Sequence, residues 1–142
     1  MKLLFDNLEL FLRLAALAQL GVAVLNLFLI RIMKWDRDLT SAPLLIREVF
    51  RIHTYFISIT LAIFGTLTWR FAGEIATAAH PLGVWLAIGI GCFWTVRSVM
   101  QWSHYSTSHW RSDSLRTWIH WTLFLGYGAL GAVYFTAAGG GG

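Results

Sequence analysis

Residues 81–104 read PLGVWLAIGIGCFWTVRSVMQWSH, an apolar run with a single charge, Arg97. As a helix at 1.5 Å per residue the run extends about 36 Å, enough to cross a hydrocarbon core of about 30 Å. Pro81 suits the first turn of such a helix, where its missing N–H costs nothing. Arg97, Gln101 and His104 stand four and three residues apart, so a helix lines them up as one polar stripe. In lipid, such groups turn toward the protein interior or a wet cavity, and the stripe therefore marks a candidate site.

Three further apolar runs of similar length flank this one, at about 10–33, 45–69 and 115–138. Together they predict an all-α integral membrane protein, a four-helix antiparallel bundle forming a single transmembrane domain over residues 1–142. The closing glycines, 139–142, are expected to be a flexible tail. A chain with 57% hydrophobic residues, 13% charged residues and eight tryptophans lies outside the soluble range. The first run is too long for a signal-peptide core and leads into a basic loop, so it is expected to remain as a helix. A net charge of +4 is spread too thinly for a nucleic-acid groove. Cys92, the only cysteine, excludes an intrachain disulfide and any Cys-rich metal centre.

Basic residues are unevenly distributed between the loops. Arg31, Lys34, Arg37, Arg47 and Arg51 surround the first connection, and Arg111 and Arg116 flank the third. The opposite side carries only Lys2, Arg13 and Arg70. The positive-inside rule then predicts a multi-pass protein of the cytoplasmic membrane with both termini outside. The segment Phe71 to His80, with Glu74 as its one acid, is expected to be a short outward turn. Small residues at four-residue spacing, Gly83, Ala87 and Gly91 in the third helix and Gly128, Ala132 and Thr136 in the fourth, predict helix contacts. Tryptophans 35, 69, 102, 110, 118 and 121 fall near predicted helix ends, as an interfacial belt requires.

Depth from the cytoplasmic side brings the polar groups into one leaflet. His53, His120 and Arg97 come to lie roughly 12, 8 and 12 Å in. Glu48, Arg51, Gln101, His104 and Arg116 sit nearer the surface of that same half. The resulting ligand or structural cluster comprises Glu48, Arg51, Arg97, Gln101, His104 and Arg116. Glu48 is its one acid, and a cross-helix pair with Arg97 or Arg116, or a local pair with Arg51, is expected. Arg51 and Arg116 are near enough to helix ends to snorkel to headgroups. Arg97 lies deeper and serves either as a structural tie or as the holder of an anionic group.

His53 and His120 on different helices define an alternative, a b-type haem ligated through neutral imidazoles. Against it, His53 lies about 140° around its helix from Glu48. No metal-ligand spacing is recognisable, and neither G-x-S-x-G, H-E-x-x-H nor a phosphate-cradling loop occurs. No cofactor and no catalytic residue is therefore predicted.

Arg47-Glu48-Val49-Phe50 and Phe93-Trp94-Thr95-Val96-Arg97-Ser98-Val99-Met100-Gln101 resemble motifs of a loose group of small four-helix bacterial membrane proteins without assigned function. In length and layout the chain is also similar to the Erg28-type four-helix proteins that tether enzymes of sterol synthesis. That similarity implies an accessory or scaffold role, with no residue carried over. The expected function is a noncatalytic membrane component with a basic cytoplasmic-leaflet face. Its expected partners are the lipid bilayer and either a membrane protein or a second copy of itself. The alternatives are the haem protein using His53 and His120, and a small carrier or anionic-lipid-binding protein using Arg97.

Overall fold

A computed structural model describes residues 7–32, 35–103 and 114–140, except for the side chains of 36–38, 115 and 116. The described chain is all-α, with helices α1 (Leu8–Ile32), α2 (Asp36–Ser41), α3 (Leu44–Ala76), α4 (Pro81–Ser103) and α5 (Ser114–Gly139). Four of them, all but α2, are long and apolar enough to cross a membrane. Only 22% to 28% of each apolar stretch is buried within the protein, so most of its surface faces outward.

The helix ends follow from local chemistry. In α1 the first bond runs from Phe11 N–H to the Asn7 carbonyl at 3.0 Å. Glu9 stands in the first turn and Arg31 in the last, both signs matching the helix dipole. The short helix α2 occupies part of the connection expected to be plain loop. It stops at Ala42, which is extended (ψ 148°), the conformation favoured before proline. Pro43 then opens α3, its carbonyl accepting from Arg47 N–H at 3.2 Å. Trp35 meets Phe50 edge to face with centroids 6.2 Å apart, tying this connection to α3.

The expected turn at Phe71–His80 is mostly helix. α3 passes through a break at Phe71 (φ −112°, ψ 20°) and continues to Ala76. The continuation exists because Ala72 and Ile75, three residues apart, are both buried. Its end is a Schellman motif: Ala79 N–H donates to the Glu74 carbonyl and Ala78 N–H to that of Ile75, at 3.3 and 3.2 Å. Ala78 takes the left-handed position (φ 48°), where glycine is usual.

The chain divides into two compact units, residues 13–70 and residues 1–12 with 71–142, and the break in α3 coincides with that division. In the first unit α1 and α3 run antiparallel. Gly65 sits so close to α1 that a methyl there would lie 2.8 Å from Leu20 Cγ and 3.1 Å from the Ala16 carbonyl. Ala15, Ala16, Gln19 and Ala23 form the buried stripe of α1, and Leu61 and Thr68 are buried on α3. The Asn26 amide donates to the Thr54 carbonyl at 3.0 Å and to Ser58 Oγ at 2.9 Å.

In the second unit α4 and α5 also pack antiparallel. The buried positions of α4 are Ala87, Ile90, Gly91, Trp94, Ser98 and Gln101, and those of α5 include His120, Tyr127, Leu130, Tyr134 and Ala137. The seven-residue recurrence (87, 94, 101 and 120, 127, 134) is that of helices crossing at a shallow angle. Trp94 stacks on Tyr127, centroids 5.1 Å apart and planes at 28°. Ala87 and Gly91 of the expected small-residue stripe on α4 are buried. On α5 the contact stripe is different: Gly128 and Ala132 are exposed, while Tyr127 and Tyr134 fill the seam.

Candidate functional site

The polar groups of the second unit gather at the Ser103 end of α4. Gln101 and His120, both 5% exposed, face each other across the seam with Gln101 Nε2 3.2 Å from His120 Nδ1. One turn deeper, the Ser98 hydroxyl donates to the Phe124 carbonyl at 3.0 Å. Arg97 is half-buried at the rim, its guanidinium carbon 5.3 Å from the centroid of the Tyr127 ring. Among the described residues of this unit no carboxylate lies within ion-pair distance of Arg97.

The Gln101–His120 contact has two chemical forms. With the amide nitrogen toward His120, Nε2–H donates to Nδ1 and the imidazole carries its proton on Nε2. Gln101 Oε1 is then buried without a hydrogen-bond partner. With the amide turned over, Oε1 accepts from Nδ1–H and the NH2 becomes the group left over. One end of a buried amide is unmatched either way, at a cost of about 1–3 kcal/mol unless something else meets it. Only the second form leaves a lone pair on His120 Nε2, as ligation of a haem iron or metal requires.

Of the eight residues expected to converge, six have described side chains. Gln101 meets His120, and Arg97 sits one turn away on Tyr127. Glu48, Arg51 and His53 belong to the other unit, where all three are exposed. Within that unit Glu48 pairs with neither Arg51 nor any other described basic residue. His104 and the Arg116 side chain lie outside the described residues. Among the described residues no group of three or more histidine, cysteine, aspartate or glutamate side chains comes together to hold a metal ion.

Sequence reasoning missed two features. Asn26 clamps α1 to α3, and an amide within an otherwise apolar run was the available signal. Tyr127 supplies the surface on which Arg97 rests, and nothing in the sequence paired a tyrosine of α5 with an arginine of α4. No protein-family model matches the chain, and no curated protein or solved structure matches it either. The fold defines the class: over its described residues, an all-α protein with four apolar helices long enough to cross a membrane.

Proposed function

We propose that this chain is a noncatalytic accessory or scaffold component of the cytoplasmic membrane, with both termini outside and a basic inner-leaflet face. The observation that supports the reading is where the side chains are spent. The α4–α5 seam is filled by the protein's own groups, Trp94 on Tyr127 and Gln101 on His120. Large apolar side chains point outward: Trp118 is 74% exposed and Leu125 64%. Lipid covers part of that surface, and an accessory protein uses the rest to hold a partner or a second copy.

The test is extraction in mild detergent followed by cross-linking and mass measurement of the complex. A defined partner at fixed stoichiometry, or a homo-oligomer, is expected. Trp118→Ala with Leu125→Ala should weaken the assembly while preserving helicity. Recovery of the wild type solely as a lone species would refute the reading. The haem alternative draws support from the burial of His120 beside an amide that can orient it. A visible spectrum after expression with haem supplementation separates the two, since only a b-type cytochrome gives a Soret band.

A further inference from the structure

Arg97 lies six residues before Ser103, the last residue of α4, and so about 9 Å from the helix end. A guanidinium offers five N–H donors, and a tyrosine ring beneath it balances part of its charge without accepting them as an oxygen would. The rim guanidinium of Arg97 therefore calls for one acceptor-rich, negatively charged group.

The level of the site identifies the source of that group. Trp102 on α4 and Trp118 and Trp121 on α5 are exposed and flank the level at which Gln101 meets His120. Exposed tryptophans at one height on adjacent spans mark the headgroup boundary. Arg97 is about a turn below that boundary, within reach of a lipid phosphate for a side chain of its length.

We propose that Arg97, seated on Tyr127, binds the phosphate of one anionic phospholipid. The site goes beyond a scaffold role, which needs no lipid selectivity. The test uses full-length protein in nanodiscs of phosphatidylcholine doped with phosphatidylglycerol, scored by the lipid retained on the protein in native mass spectrometry. Wild type should retain phosphatidylglycerol in preference, by about fivefold, the equivalent of one cation near a membrane surface. Arg97→Gln should abolish the preference, and Arg97→Lys should keep part of it. Arg13→Gln, which removes a guanidinium 5.3 Å from the Trp69 ring in the other unit, should leave it unchanged.

Excess inorganic phosphate should not displace the lipid. Displacement, with phosphate bound alone, would assign the site to a free anion and overturn the lipid proposal. Equal retention of both lipids by wild type would overturn it as well. So would a preference that survives Arg97→Gln. Should Arg97→Gln not accumulate, the wild-type lipid comparison and Arg97→Lys still decide the matter.

Discussion

Gln101 and His120 face each other across the α4–α5 seam, Nε2 to Nδ1 at 3.2 Å, both almost fully buried. Removing either partner takes this contact from the other. Gln101→Met and His120→Leu should each destabilise the protein by about 1 kcal/mol, near the range of polar contacts between membrane helices. The double variant should cost clearly less than the sum, because the contact between the two is lost only once. Unfolding in mixed micelles by denaturing detergent measures all three, and simple additivity would mean that the pair is not coupled.

Two glycines are placed where a methyl does not fit. At Gly65 the obstacles are Leu20 and the Ala16 carbonyl, and backbone cannot swing aside; Gly65→Ala should cost about 1–3 kcal/mol. At Gly131 the nearest atom is Thr95 Oγ1 at 2.7 Å, a side-chain oxygen that can rotate. Gly131→Ala should therefore cost less and be relieved by Thr95→Ala. Gly89→Ala, which meets nothing within 4 Å, is the control and should be neutral or slightly stabilising. Thermal unfolding of the four variants ranks them.

Ala78 closes α3 in a left-handed conformation that costs a side chain about 1–2 kcal/mol. Ala78→Gly removes that strain and gives back part of the gain as chain entropy in the unfolded state. A net stabilisation of about 0.5–1 kcal/mol is expected, seen as a higher unfolding midpoint. A fall in the midpoint would show that the entropy term dominates.

Asn26 donates to both Thr54 and Ser58, so a single amide carries two contacts between α1 and α3. Asn26→Leu should loosen that pairing by about 0.6–1.7 kcal/mol. Ser58→Ala should do less, since the Thr54 carbonyl still accepts from Asn26. Hydrogen exchange at the amides of α1 and α3 would reveal the loss, and unchanged protection would count against the clamp.

The spans were legible because a membrane crossing demands a long apolar run, and residues 81–104 supply one without ambiguity. The extension of α3 past Phe71 was not, because Gly73 and Glu74 look like a turn until Ala72 and Ile75 are seen to be buried. Of the stripe expected from Arg97, Gln101 and His104, the two described members do not point the same way: four residues advance a helix by about 400°, leaving Arg97 and Gln101 about 40° apart. That offset puts Gln101 inside the seam and Arg97 on its rim. The partner face of α5 could not be read from spacing. A helix apolar on every side carries no periodic mark of its packed face, and bulky Tyr127 and Tyr134 occupy the seam instead of the small residues 128, 132 and 136.

The Asn26 clamp and the close approach at Gly65 join segments lying wholly within residues 13–70. All the atoms of that hairpin's contacts exist once Arg70 has been translated, before any residue of α4 has been made. The α1–α3 pair can thus leave the insertion machinery already zipped, its Asn26 amide never having to face lipid alone.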